Sequence, residues 1–431
     1  MSLKNVSRKY SFVDLFAGPG GLSLGFKMSG FFEPIAAVES NRKAAETYRT
    51  NLGIKVIEAE IGKVESKELV NSLLRLADEV GYKEIDAIVG GPPCRPFTTA
   101  NKGRTRWKET RGQDNLGNSD IGHPDWLCFS QIVNALQPRV VVAENVLGFR
   151  NHDDVFSKFL DKLESFGYAT DSCELHARCF GIPQNRKRIF IAGLKDFAGD
   201  KDSLLPINPK EGSVDIVCVK DAISDLPELS NDSSGSQFSK YRRVKPTRYQ
   251  SLMRNESQVL YDHIAHSVHP VMAGRFEYIP SGYNLRKAWV EGKIPEASMQ
   301  SQYVRGNVRK GFSQNTLENM HSNIYRRLKW DDVSCTIAHV RKIVLIHPQQ
   351  NRLISVREAA RLQSFPDWFR FSGSINQQYQ QIADAVPPFL ARAIADHLGK
   401  LLTFKSFLAD VPQKTVQHSA ILQSEKISSR R

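Results

Sequence analysis

Short apolar runs alternate with segments of helical periodicity along the first half of the chain. Phe12, Val13, Leu15 and Phe16 make residues 10–16 a buried strand. A glycine-rich turn follows (Ala17, Gly18, Pro19, Gly20, Gly21), then a helix through Met28. Further strands are predicted at 34–38, 56–61 and 85–89, with helices at 41–52 and 66–80. In the last of these, Leu69, Val70, Leu73, Leu74, Ala77 and Val80 recur at helical spacing. Pro92 and Pro93 must end any ladder that reaches them. Helix 124–137, strand 140–143, helix 154–166 and strand 189–192 continue the alternation. The pattern predicts an α/β fold, a doubly wound, Rossmann-like, mostly parallel sheet. Its strands are apolar throughout because helices cover both faces.

The pattern changes after Lys195. Residues 196–335 are richer in Ser, Pro, Asn and basic side chains and weakly periodic, so they are expected to form a smaller inserted domain. The expected organisation is a catalytic and cofactor-binding domain over 1–195, the insertion over 196–335, and a return to the first domain over 336–412. Helical patterning resumes from Val356 to His397, and a polar tail covers 413–431. Residues 95–122 are polar, and a loop that long is usually functional or disordered.

Composition narrows the partners. The chain has 431 residues and a formal charge of +13, with a pI near 9.4. That balance favours a polyanion such as nucleic acid. No run of about 18 apolar residues occurs, so no membrane span is expected, and the first residues, MSLKNVSRKYSF, carry no apolar export signal. Six cysteines lie at 94, 128, 173, 179, 218 and 335 without Cys-x-x-Cys spacing, so neither a disulfide framework nor a thiolate zinc site is indicated. Reduced thiols fit a cytoplasmic protein. His263, His266 and His269 stand three apart but have no accompanying Cys or acid cluster, so no metal is expected.

Four segments can carry chemistry. The turn after the first strand lets backbone amides approach a ligand, and Glu39, about twenty residues on, stands where dinucleotide folds bind ribose hydroxyls. The pattern Gly18-x-Gly20-Gly21 departs from the usual dinucleotide fingerprint, and a turn without a ligand is the plain alternative. Cys94 stands just past a strand at the carboxyl edge of the sheet, either as a nucleophile or as a buried structural thiol. Glu144 emerges from an apolar strand into the same edge. Arg186 and Arg188, spaced by two on a strand, are expected to converge on one acidic group unless they belong to a solvated charge run.

Together these segments resemble the cytosine-5 DNA methyltransferases. The matching pieces, in order, are DLFAGPGG (14–21), Glu39 in AVES, GGPPC (90–94), ENV (144–146), QNRKR (184–188), REAARLQ (357–363) and AVPP (385–388), covering roughly 11–195 and 324–398. The resemblance implies a class I methyltransferase fold, an inserted target-recognition domain, and S-adenosylmethionine as cofactor. It places Phe16, Gly18, Gly20, Gly21, Leu22, Glu39, Ser40, Glu60, Ile61, Pro92, Asp384, Ala385 and Val386 at the cofactor. It makes Cys94 the thiolate that adds to carbon 6 of a flipped cytosine, so that carbon 5 can accept a methyl group. Glu144 would neutralise charge on the ring nitrogen, Arg188 would bind the 2-oxo group and Arg186 would support the pocket.

Basic residues Arg95, Lys102, Arg104 and Arg106 would clamp phosphates from the 95–122 segment, and Arg242, Arg243, Lys245, Arg305 and Arg309 would contact duplex DNA from the insertion. Three positions depart from the family pattern: Arg95 replaces Gln, Glu60 replaces Asp, and Ala383-Asp384 replaces Gly-Asn. A monomer without an obligate protein partner, modifying DNA beside a restriction enzyme, is the expected setting. The rivals are an RNA cytosine-5 methyltransferase, suggested by PPCRPFT (92–98), and a DNA-binding relative without catalysis.

Overall fold

The computed structural model describes residues 9–93 and 123–410, apart from 211, 214, 230–237, 256, 300, 305–306, 311–324 and 339–343. Strands β1 (Tyr10–Leu15), β2 (Phe32–Val38), β3 (Val56–Ile57), β4 (Ala87–Gly90), β5 (Val140–Asn145), β6 (Tyr168–His176) and β8 (Lys187–Lys195) form one sheet in the order β3-β2-β1-β4-β5-β8-β6. A short β7 (Gln184–Asn185) precedes β8. Only β8 runs against the others, pairing antiparallel with β5 and β6. Strand β6 is the one element of the sheet that periodicity did not announce. Pro34 interrupts the β1–β2 ladder, and the register shifts between Phe12 and Val13 to accommodate its missing N–H.

Helices α1 (Gly21–Met28), α2 (Arg42–Leu52), α3 (Ser66–Glu79), α4 (Pro124–Leu136) and α5 (Asp153–Ser165) follow their strands. Asn41 caps α2 by accepting from the amides of Lys43 and Ala44, and Gly53 closes it in the left-handed conformation. One sheet face packs on α3, α4 and α5 through Leu73, Trp126, Phe129 and Phe159. The other packs on α1 and the C-terminal α10 (Pro388–Asp410) through Phe12, Phe26, Leu390 and Ile394.

A third core joins Tyr48 and Leu52 of α2 to α6 (Val219–Ile223), α7 (Arg248–Arg254), α8 (Val356–Leu362) and α9 (Ile375–Asp384). So Val219, Ala222, Ile223, Tyr249, Met253 and Leu260, from the stretch expected in the insertion, are buried with the main unit. A separate small core gathers Phe276, Ile279, Leu285, Ala288, Ile294, Met299 and Ile346. Among the described residues no helix is long and apolar enough to cross a membrane.

Candidate active site

Strand order reverses between β1 and β4, so the loops leaving their carboxyl ends diverge and open a crevice. Leu15 pairs with Gly90 at this point. The turn after β1 is tightly wound: Phe16, Gly18 and Gly20 have φ of 60°, 55° and 99°. A side chain at Gly18 would meet no atom within 4 Å, whereas one at Gly21 would lie 2.3 Å from the Val386 carbonyl oxygen. Gly21 is therefore where the turn and the 385–388 segment touch, and Gly18 faces open space. Leu22 is buried with Phe26 and Leu390, so only its backbone faces the turn.

The Glu39 carboxylate organises the turn. The amide of Gly18 donates to Oε2 at 2.8 Å and that of Asn41 to Oε1 at 2.6 Å. Burial raises its pKa against these bonds, and Asp384 raises it further, while the Ser40 hydroxyl lowers it. Asp14 lies beneath the turn, 1% exposed, accepting from Ser23 Oγ at 2.6 Å. Ser23 in turn meets the Tyr48 hydroxyl at 2.7 Å. Burial pushes the Asp14 carboxyl up to about 7. Asp14 was not singled out from the sequence, although a charge inside an otherwise apolar strand was the available signal.

Across the crevice, Glu144 ends β5 and is 9% exposed. Its Oε1 forms an ion pair with Arg188 Nε at 2.9 Å. Burial raises the Glu144 pKa, opposed by Arg188 and Arg186 and reinforced by Asp384. A Cβ on Gly91 would lie 3.2 Å from Glu144 Oε2, so the carboxyl sits against the segment leading to residue 94. Asn145 steadies that segment by donating from Nδ2 to the Pro92 carbonyl at 3.1 Å.

Arg186 and Arg188 do not converge on one acid. Arg186 falls between β7 and β8, where strand alternation is broken. Its guanidinium is 1% exposed and donates to the carbonyls of Ile337, Ala383 and Ala385 at 3.2, 3.1 and 3.0 Å. Its charge, like that of Arg188, also bears on Glu144. It ties the C-terminal return to the strand edge, with help from two residues that the sequence reading left as motif letters. Gln184 Nε2 donates to Gln363 Oε1, and Gln363 Nε2 donates to the Ala385 carbonyl at 2.7 Å.

Residues 10–400 match the family model for C-5 cytosine-specific DNA methylase. The chain belongs to that family of DNA cytosine-5 methyltransferases. It is 30% identical over 405 residues to the type II methyltransferase M.DdeI of Desulfomicrobium norvegicum, covering 90% of this chain and 88% of that one. It is 30% identical over 438 residues to the type II methyltransferase M.AgeI of Thalassovita gelatinovora, covering 89% and 98%. A prophage-encoded methyltransferase from E. coli superposes with a TM-score of 0.66 at 23% identity, over 92% of this chain and 100% of that one, which speaks for the fold.

The other residues expected of a methylase of this family fall in several places. Ile61 is buried, while Glu60 is exposed and paired with Lys63 Nζ at 2.9 Å. Pro92 is buried, and Ala385 and Val386 line the Gly21 contact. Arg242, Arg243 and Lys245 are exposed, on a stretch anchored by the Arg242 amide to the Asp225 carbonyl at 2.9 Å and by Tyr241 Oη to Asp367 at 2.7 Å. Arg309 lies on Asn307–Lys310, paired antiparallel with Ser301–Val304. Cys94, Arg95, Lys102, Arg104, Arg106 and Arg305 lie outside the described residues. His263 bonds Ser355 Oγ at 2.9 Å and the Pro227 carbonyl at 2.8 Å.

Proposed function

We propose that this methylase transfers a methyl group to carbon 5 of a flipped cytosine in a specific duplex sequence, acting as the modification partner of a restriction system. The methyl donor in this reading is S-adenosylmethionine, and the crevice fits it. The open space at Gly18 leaves room for a ligand beside the turn. The Glu39 oxygens each accept one amide and keep lone pairs for ribose hydroxyls. Phe16 offers an aromatic face near the turn. When bound, the donor supplies an electrophilic methyl group on a positively charged sulfur.

The single observation that carries the reading is the ion pair of buried Glu144 with half-buried Arg188, set across the β1–β4 crevice from the Glu39 turn. In this mechanism the Cys94 thiolate adds to carbon 6 of cytosine, and the ring electrons shift to carbon 5. Glu144, whose proton affinity is raised by burial, gives or shares a proton at the ring nitrogen that gains charge. Arg188 donates to the 2-oxo group while holding Glu144 in line. Arg186 keeps the 383–385 backbone against the pocket and is a positioning residue. Loss of the carbon-5 proton and departure of the Cys94 sulfur restore the ring.

In this reading the target-recognition unit is the segment built on the small separate core around Phe276, Leu285 and Ile346. Sequence-independent phosphate contacts come from Arg242, Arg243 and Lys245 on the main unit. Bisulfite sequencing of DNA from cells expressing the wild type and Cys94→Ser tests the proposal. Methylated cytosine in one sequence context, present in the wild type and absent in the variant, is expected. Equal methylation by both removes Cys94 from the mechanism. Transfer of labelled methyl to tRNA with none to duplex DNA replaces the substrate.

A further inference from the structure

Three consecutive residues at the end of α8 reach the glycine-turn side of the crevice. Gln363 Nε2 donates to the Ala385 carbonyl at 2.7 Å. Ser364 Oγ accepts from the Phe389 amide at 3.1 Å. Phe365 Cζ is one of the three atoms nearest to a Cβ built on Gly21, at 3.0 Å, together with the Val386 carbonyl oxygen and Ala385 Cβ. Ser364 is wholly buried and has a φ of 63°. A non-glycine residue keeps that left-handed backbone only where its surroundings impose it. The bend at 363–365 therefore fixes the 385–389 segment against the turn.

Gln363 is also the middle of a hydrogen-bonded chain that runs in one direction. The Ile337 amide donates to Gln184 Oε1 at 3.3 Å, Gln184 Nε2 donates to Gln363 Oε1, and Gln363 Nε2 donates to Ala385. Arg186 closes the loop through the carbonyls of Ile337 and Ala385. The Ile337 end is tied to the strand edge, since Ser334–Cys335 pairs with β7. Packing alone does not ask for a carboxamide at 363. The Gln363 backbone amide already bonds the Ala359 and Ala360 carbonyls, so α8 closes without the side chain. Both glutamines are 0% exposed. A buried carboxamide costs free energy unless its groups find partners, whereas an unbranched apolar side chain would fill the space without that demand.

We infer that Gln363 is a positioning residue for the methyl donor: oriented by Gln184, it holds the Ala385–Val386 backbone against the glycine turn that receives the donor. The inference rests on the reading that S-adenosylmethionine binds at that turn. Gln363 acts through Ala385, and the Val386 carbonyl next to it sets how closely α1 can start beside the crevice. Without the Gln363 bond the Ala385 carbonyl keeps only its Arg186 partner among the bonds described above, and the 385–388 segment loses one of its two anchors there. Loss of one buried hydrogen bond is worth about a three- to tenfold change, felt here as weaker donor binding. The Glu144–Arg188 pair is not touched, so the chemical step at saturating donor is left intact.

The test is calorimetric titration of the full-length protein with S-adenosylmethionine, well below every variant's melting temperature, for wild type, Gln363→Met, Gln184→Met and the double variant. Gln363→Met is expected to weaken donor binding about three- to tenfold. In steady-state methyl transfer to duplex DNA its KM for the donor rises, while kcat at saturating donor stays within about twofold of wild type. Gln184→Met weakens the donor as well, and the double variant binds no more weakly than Gln363→Met, because Gln184 acts on Ala385 through Gln363. Losses that simply add overturn the link to Gln184. Wild-type donor affinity in Gln363→Met overturns the inference, and if that variant does not fold, wild-type affinity in Gln184→Met does so. Arg361→Met is the control, since it loosens the same helix at a residue bonded to Asp225 and Asp367 instead. An equal loss of donor affinity there marks a merely structural effect and overturns the inference too. Failure of the wild type to bind S-adenosylmethionine overturns the donor reading itself.

Discussion

Two glycines of the turn offer a paired test, because an added methyl group meets opposite surroundings at each. At Gly21 the new Cβ would lie 2.3 Å from the Val386 carbonyl oxygen and 3.0 Å from Phe365 Cζ. A carbon–oxygen contact relaxes only near about 3.3 Å. The α1 start and the 385–388 segment must therefore separate by roughly 1 Å, and backbone stands on both sides. Overpacking of this kind costs about 1–3 kcal/mol. At about 2.1 cal/mol/K of unfolding entropy per residue, that lowers Tm by roughly 1–4 °C in a unit of about 400 residues.

At Gly18 the new Cβ meets nothing within 4 Å, and the only cost is a left-handed φ of +55°. That cost is about 1–2 kcal/mol. If the open space is where the donor sits, Gly18→Ala blocks it directly. Donor affinity should then fall by more than about tenfold, against a melting shift no larger than that of Gly21→Ala. Calorimetric titration with S-adenosylmethionine and a thermal melt on each variant supply both numbers. Wild-type donor affinity in Gly18→Ala would refute the assignment of this turn as the cradle. Unchanged melting in Gly21→Ala would refute the tight contact with Val386.

Three further outcomes follow from the same physics. Arg361 is wholly buried, bonding Asp367 at 2.9 and 2.7 Å and pairing with Asp225 at 2.5 Å, so Arg361→Met leaves Asp225 to Arg254 and Asp367 to Tyr241 and should cost about 3 kcal/mol in chemical denaturation. Burial holds the His347 ring neutral, with its pKa lowered to about 4, and lowers that of His263 too. The unfolded chain takes up these protons below about 6.5 while the folded chain does not, so the two histidines pull stability down as pH drops from 6.5 to 5, against the opposite pull of Asp14, whose carboxyl is protonated near 7 only in the folded chain. Glu358, held ionised by Arg352, keeps its full contribution in this window and loses it only below the ordinary carboxylate range. The stability of His347→Gln relative to wild type should accordingly rise as pH drops from 6.5 to 5 in denaturation curves. Replacing Arg242, Arg243 and Lys245 together by Ser should weaken cognate and non-cognate duplex binding in parallel and reduce the salt slope by about 2.7. A change in sequence preference would instead place these residues at base edges.

Much of the sheet was readable in order because its strands are buried on both faces and stand out as apolar runs. The glycine turn, Glu39 and Glu144 could be named for the same reason, since each interrupts or ends such a run at the carboxyl edge. Strand β6 escaped because YATDSCELH has half-buried positions and no continuous apolar stretch. The pairing of Arg186 and Arg188 was misjudged because a break between β7 and β8 cancels the alternation that spacing by two assumes.

Local pattern, then, determined which segments are strands and helices and which polar residues stand at strand ends. It had no means of bringing residues 383–386 against Gly21, or of seating Asp225 with Arg361 and Asp367 in one buried network, since Asp225 lies 136 positions from Arg361 and Gly21 lies farther still from Val386. Those juxtapositions depend on how the C-terminal helices pack over the crevice. Whether an arginine grips a carboxylate or a row of carbonyls was decided there, by which acceptors remained within its reach once water was gone.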